Sequence, residues 1–196
     1  MADNSLIKEL RELTGAGMVD IHEALTESGN DKEKALEILR KKGMTKVSKK
    51  ADRVAKEGLV ESYVHGGGRI GVLVEVNCET DFVARTEDFK NLAKELALHV
   101  AAANPLYVSV EDVPAEVVEK EREIYKEQSA GSGKPDGVIE KMIDGKLAKF
   151  YEEVCLLEQP FVKQPEKKIS ELIAESTAKM GEKVQVSRFA RFVLGN

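Results

Sequence analysis

The sequence predicts an α+β protein: an N-terminal three-helix bundle, a basic linker, and an antiparallel-sheet core carrying helices. Three observations lead there. Apolar residues recur every three to four positions in three short runs over residues 1–43, the period changes to alternation after Gly58, and strand-like segments then stand on either side of a long helical block. Strands separated by a block of helices imply antiparallel pairing rather than alternating βαβ units. The expected divisions are 1–43 for the bundle, 44–57 for the linker and 58–196 for the core.

In the first helix Leu6, Ile7, Leu10 and Leu13 share a face, in the second Met18, Ile21 and Leu25, and in the third Ala35, Ile38 and Leu39. This is the spacing of amphipathic helices. Residues 14–17 and 28–31 break the runs, and Gly43 suits a left-handed C-terminal stop. Asn30 with Glu33 has the form of a capping box, with Asn in place of the usual Ser or Thr. So small a bundle buries little surface alone and is expected to lean on a partner.

Residues 41–56, KKGMTKVSKKADRVAK, hold seven basic residues and one acidic one inside a chain of formal net charge −5. Clustered Lys and Arg can neutralise nucleic-acid phosphates, but a charge run is also how a solvated linker or helix face reads. No aromatic side chain interleaves the cations and the remainder of the chain is acidic. The linker is therefore the first reading, with a nucleic-acid arm as the alternative.

From Gly58 onward, residues 59–65 and 69–78 read as a β-hairpin joined by Gly66, Gly67 and Gly68, with Ile70, Val72, Val74 and Val76 on one face. A helix is expected over 83–103 through Phe89, Leu92, Leu96 and Val100, stopping at Asn104 and Pro105. A charged helix over 114–129, a turn over 130–135 and a helix over 136–157 follow. Pro160 and Pro165 bound a loop, 168–180 is helical, and KVQVSRFARFVLG closes the chain as a last strand.

A length of 196 residues fits one domain, or a small one joined to a medium one. No window approaches the roughly 18–20 consecutive apolar residues of a membrane span, and MADNSLIKEL lacks a signal-like apolar run. Cys78 and Cys155 are too few for a disulfide scaffold and too far apart for a Cys-x-x-Cys site, so a soluble cytoplasmic protein is expected. Trp is absent and aromatics make up 5%, so an exposed Phe or Tyr requires a reason.

Several motifs lack their chemical context. Gly66, Gly68 and Gly71 match GxGxxG, but a dinucleotide site needs a helix after the glycines and a strand follows here. His65 to Gly68 imitates an HGGG oxyanion element without any GxSxG, and 131–135 has a Gly-Lys pair without Walker spacing. Cys78 near a strand end, with His65 or His99 as base, gives a hydrolase alternative. A buried thiol is the simpler state, since nothing adjacent in sequence lowers its pKa. His22, His65 and His99 lack zinc-ligand spacing. No metal, cofactor, direct nucleotide binding or covalent chemistry is expected.

What remains is NCETDFVAR, residues 77–85. Thr80 or Asp81 can cap the next helix, and Phe82 either staples that helix to the core or stands exposed as a wedge. Pattern alone favours the staple. Gly15 and Gly17 in TGAGM read equally as a tight inter-helix turn.

The segments LIKELRELTGAGMVDIHEAL and VEVNCETDFVAR closely resemble the bacterial elongation factor Ts family, the guanine-nucleotide exchange factors for elongation factor Tu. ADRVAKEGLVESYVHGGGRIGVLVE, HVAAANP, LLEQPFVK and SRFARFVLG extend the resemblance through nearly the whole chain. It implies that residues 1–43 form a ubiquitin-associated-like domain that docks on the partner, with Arg11, Met18 and Val19 at contact positions around Gly15 and Gly17. It implies that Asp81 and Phe82, within Thr80-Asp81-Phe82-Val83, enter the partner's nucleotide-binding domain and disturb its magnesium and phosphate environment. His65 matches a further contact position. The chain resembles the short, single-core members, which implies a homodimer. A terminal strand carrying Phe189, Phe192, Val193 and Leu194 would supply an edge and apolar surface for pairing. The rival readings are an RNA-binding accessory protein using residues 41–56 and a Cys78 hydrolase.

Overall fold

The computed structural model describes residues 4–14, 16–48, 50, 52–129 and 135–195. Helices α1 (Asn4–Thr14), α2 (Met18–Glu27) and α3 (Lys32–Ser48) enclose a core of their own made of Ile7, Leu10, Ile21, Ala24, Leu25, Ala35 and Leu39. Leu6 and Ile38 pack against it, partly buried, while two residues of the expected apolar faces do not join it. Leu13 and Met18, on either side of the α1–α2 turn, are exposed.

Two local expectations need correction. Gly43 lies inside α3 rather than after it. An interior Gly costs a helix only about 1 kcal/mol relative to Ala, and α3 is supported from outside by packing on a later helix, α8 (Ile169–Met180). Arg40 ties the two together through Glu171 at 3.0 Å. The cap of α3 is Asp31, whose Oδ1 accepts the Lys34 N–H at 3.1 Å. Asn30 instead takes a left-handed conformation, φ 64°, which terminates the preceding turn.

The core is built on a three-stranded antiparallel sheet of order β1-β2-β5, from β1 (Glu57–His65), β2 (Ile70–Cys78) and β5 (Gln185–Val193). Gly66, Gly67 and Gly68 turn the β1–β2 hairpin with φ of 60°, 67° and 92°. Three successive positive values demand residues without a Cβ, and β2 follows directly, so the glycines make a turn and not a phosphate cradle. Val72, Val74 and Val76 alternate onto one buried face. Helix α5 (Glu87–Ala103) covers it with Phe89, Leu92, Leu96 and Val100.

The single helix expected over 83–103 is two helices. A short α4 (Asp81–Ala84) ends at Arg85, and the Thr86 hydroxyl caps a new helix by accepting the Phe89 N–H at 3.3 Å. Helices α6 (Ala115–Ser129) and α7 (Asp136–Val154) pack against each other, with Arg122 reaching Glu140 and Asp144. The turn expected over 130–135 lies mostly outside the described residues. The Pro-bounded loop contains a small hairpin, β3 (Pro160–Phe161) with β4 (Gln164–Lys168). Proline tolerates such a two-stranded ribbon because its missing N–H can face outward. Among the described residues no helix is long and apolar enough to cross a membrane.

His99, fully buried on α5, fastens this ribbon to the core. Its Nδ1 accepts the Val162 N–H at 3.3 Å, so Nε2 carries the proton and faces Gln159 Oε1 at 2.9 Å. Burial holds the imidazole below its ordinary pKa of 6.5, against the smaller opposing effect of Gln159. A base with a depressed folded-state pKa contributes stability fully above 6.5 and loses it as pH falls through the lower folded value. NMR titration of the ring is expected to give a midpoint below 6.5, with thermal stability declining over the same window. A midpoint at or above that value contradicts the buried neutral ring.

Candidate functional site

Cys78 ends β2, and the chain must turn from the sheet onto α5 within a few residues. Thr80 is extended (φ −130°, ψ 154°), and its hydroxyl caps α4 by accepting the Val83 N–H at 3.4 Å. Four residues of helix are too few to be stable alone, since nucleation is costly. The inner side of α4 is anchored by Val83 and Ala84, which pack on the core. Its outer side presents Asp81 and Phe82.

Phe82 is 78% exposed, the highest value among the large apolar side chains of the described residues. The staple favoured by pattern alone is therefore overturned: Val83 and Ala84 do the stapling, and the phenyl ring stands in solvent. Asp81 lies beside it and receives Arg85 Nη2 at 2.7 Å across one helical turn. The tip of α4 thus couples an apolar ring with an oriented carboxylate, in a chain with few aromatics.

Two carboxylates that sequence reasoning missed hold the base of this tip. Glu182, in the turn between α8 and β5, accepts Thr80 Oγ1 at 2.7 Å on one oxygen. Its other oxygen accepts the N–H groups of Thr80 at 2.9 Å and Glu79 at 3.1 Å. Reciprocally, Glu79 accepts the Lys183 N–H at 2.6 Å, and Arg53 reaches both its oxygens at 3.3 Å. The Lys183 backbone N–H, followed by the Arg53 charge, holds the Glu79 carboxyl below the usual range. The only signal in the sequence was a Gly-Glu pair after a helix, a hundred residues away from its target.

The other expected contact residues occupy separate places. Arg11, Gly17, Met18 and Val19 are exposed around the α1–α2 turn, and Gly15 lies outside the described residues. With Leu13 they make an apolar tip carrying one cation. His65 is exposed at the last position of β1, paired with Ile70, while Cys78 pairs with Glu57 at the opposite end of the hairpin. At 3.3 Å per residue the length of β2 puts His65 roughly 25 Å from the start of α4. His65 therefore does not share a site with Phe82; its ring stacks on Tyr63, with Nδ1 at 3.1 Å from the phenol oxygen.

Neither rival chemistry gains support. Cys78 is completely buried, its thiol donates to the Thr80 carbonyl at 3.1 Å, and burial, reinforced by Glu182, pushes its pKa to about 11. A thiol so protonated is a poor nucleophile. Of the basic run, Lys41 pairs with Glu37, Lys42 with Glu23 and Arg53 with Glu79, so these cations already have anionic partners. The side chains of 43–49 lie outside the described residues. Among the described residues no group of His, Cys, Asp and Glu is arranged to hold a metal.

The chain is similar to known proteins over nearly its whole length. The family profile described as "Elongation factor TS" matches residues 5–196. The chain is 57% identical over 195 residues to the elongation factor Ts of Carboxydothermus hydrogenoformans, covering 100% of this chain and 90% of that protein. It is 58% identical over 191 residues to that of Desulforamulus reducens, with 97% and 88% covered. To that of Caldanaerobacter subterraneus subsp. tengcongensis it is 57% identical over 195 residues, with 100% and 98% covered.

Proposed function

Because this chain belongs to the elongation factor Ts family, we propose that it expels GDP by pressing Phe82, with Asp81 beside it, against its partner's nucleotide and magnesium site. The chain is a guanine-nucleotide exchange factor for elongation factor Tu, acting in translation elongation. The observation that carries the wedge is a phenyl ring 78% exposed on a helix whose base is hydrogen-bonded in place.

Exchange is a linkage problem. A protein that binds the distorted, nucleotide-free state more tightly than the loaded state loosens the nucleotide by the same coupling free energy. Reversing a population of about 1:99 requires a differential of about 5.5 kcal/mol, whereas burying one Phe supplies about 1.5–3 kcal/mol. Phe82 therefore acts with anchors elsewhere. We assign the first to a ubiquitin-associated-like docking domain, residues 1–43, through Arg11, Met18, Val19 and the turn at Gly15 and Gly17. Helix α3 continues to Ser48, past the expected end of that domain at 43, and β1 opens the core at Glu57, so the link between them is shorter than the expected 44–57. His65 is a peripheral contact, distant from the wedge along the hairpin.

Release of fluorescent GDP from elongation factor Tu, followed against concentration of this chain, separates anchor from wedge. Met18→Ala and Arg11→Ala are expected to raise the half-saturating concentration roughly tenfold while the maximal rate is retained. Wild-type half-saturation for both variants would remove the α1–α2 tip from the interface.

A second copy of the chain is the other proposed partner. On the sheet face away from α5, Val60, Val64, Leu73 and Phe192 are exposed. Register places Val64, Gly71 and Phe192 in one row, with a side-chain gap at the glycine. The one ion pair on that face, Arg188 to Glu75 at 2.7 Å, is internal, so no unbalanced charge repels a like surface. Phe189 belongs to the opposite face and packs on the core, leaving Phe192 in the terminal strand and Leu194 just beyond it as the exposed large apolar residues. Sedimentation equilibrium is expected to show a dimer at micromolar concentration and a monomer for Phe192→Asp; a monomeric wild type refutes the dimer. The two buried free thiols are in keeping with action in a reducing cytoplasm.

A further inference from the structure

We propose that Glu182 is the positioning residue of the exchange wedge, a role that rests on the function assigned to Phe82 above. The short α4 cannot orient itself, and its inner anchors, Val83 and Ala84, fix only how closely it lies on the core. Direction comes from Thr80, and Thr80 is held by Glu182.

The Thr80 hydroxyl has one proton and must serve two neighbours. It donates that proton to Glu182 Oε1 at 2.7 Å, which leaves its lone pairs free to accept the Val83 N–H at 3.4 Å. A carboxylate at this place thus selects the rotamer in which the hydroxyl caps the helix. The second oxygen of Glu182 gathers the Thr80 and Glu79 N–H groups, which the end of β2 would otherwise leave without partners. Bonds to an ionised acceptor are the stronger kind.

Glu182 is itself fixed from two sides. Gly181, at φ 78°, closes α8 immediately before it, and the Lys183 N–H after it is bound by Glu79. The bulge between Glu75 and Val76 in the β2–β5 ladder leaves Ser187 as the extra residue, and its hydroxyl donates to Asn77 Oδ1 at 2.6 Å. Bulges re-aim the chain next to functional sites; this one lies where β5 leads back to the turn carrying Glu182. Residues 79–80 and 182–183 therefore clasp each other through two carboxylates, each accepting main-chain N–H groups of the other segment.

Glutamine at position 182 offers one acceptor and one donor where two acceptors are needed, so Glu182→Gln must forfeit either the backbone bonds or the hydroxyl. The test is GDP release from elongation factor Tu with the full chain. Glu182→Gln is expected to lower the maximal release rate roughly five- to tenfold, the scale of losing a helix cap, with half-saturation unchanged because the anchors are untouched. In the Phe82→Ala background the same substitution should cost much less, since Glu182 acts through the direction of α4 and the ring that α4 chiefly carries is gone. A merely structural residue would not show this coupling. Thr80→Val should reproduce the loss and Thr80→Ser should recover most of it; this pair carries the test if Glu182→Gln fails to fold by circular dichroism. A wild-type maximal rate for Glu182→Gln, or a full additional loss in the Phe82→Ala background, overturns the proposal while leaving the wedge standing. Phe82→Ala without any loss overturns both.

Discussion

Phe82→Ala is expected to slow the maximal release of GDP from elongation factor Tu by at least tenfold while leaving half-saturation and thermal stability close to wild type. Burying a Phe supplies about 1.5–3 kcal/mol, which corresponds to a factor of roughly ten to a hundred and fifty in rate if all of it is expressed on the exchange path. Because the ring makes its contacts only in the complex, its removal takes little from the free protein; surface substitutions generally stay within about 0.5 kcal/mol. Binding persists because the anchoring surfaces are separate. Stopped-flow measurement with fluorescent GDP reads the rate and its concentration dependence together. A variant that releases GDP as fast as the wild type would show that the ring's exposure has another purpose.

The opposite outcome is expected seven residues later. Phe89 has no solvent exposure and lies at the centre of the core, against the face formed by Val72, Val74 and Val76. Phe89→Ala removes that contact area and leaves a cavity, at a cost of about 3–5 kcal/mol. In a chain of this size each kcal/mol lowers the melting temperature by about 2–4 °C, so a drop on the order of 10 °C should be visible by calorimetry. A loss below about 1 kcal/mol would mean that the packing of α5 on the sheet is not what stabilises the core. Exchange activity of this variant at low temperature should remain, because Thr80, Glu182 and Phe82 are untouched. The two phenylalanines thus separate function from stability within one short segment.

Much of the architecture was legible in the residues. The 3.6-residue period located α1, α2 and the start of α3, and the alternation Val72, Val74, Val76 located β2 and its buried side. Three successive glycines located the hairpin turn. These signals are local: each depends on side chains a few positions apart, and the helix or strand that forms brings those same side chains to one face. Where the structure departs from these expectations, a distant contact or a competing local turn is the cause. Helix α3 runs past Gly43 beside α8, the short ribbon at 160–168 is fastened by His99 from α5, and Asp31 displaced Asn30 as cap because Asn30 was needed in the left-handed turn.

From the residues alone came the order of helices and strands, the family resemblance, and the identity of the side chains at the exchange motif. The orientation of Phe82 came only from the tertiary structure. In one continuous helix, positions 82 and 89 would fall on nearly the same face, seven residues being close to two full turns, and both rings would be buried. Thr80 and Thr86 each cap a separate helix, and the break at Arg85 rotates α4 relative to α5. Glu182, a hundred residues away, then fixes which way the short helix faces. Capping oxygens and a carboxylate from across the sheet decide the matter because hydrogen bonds between distant segments set directions that hydrophobic periodicity leaves open.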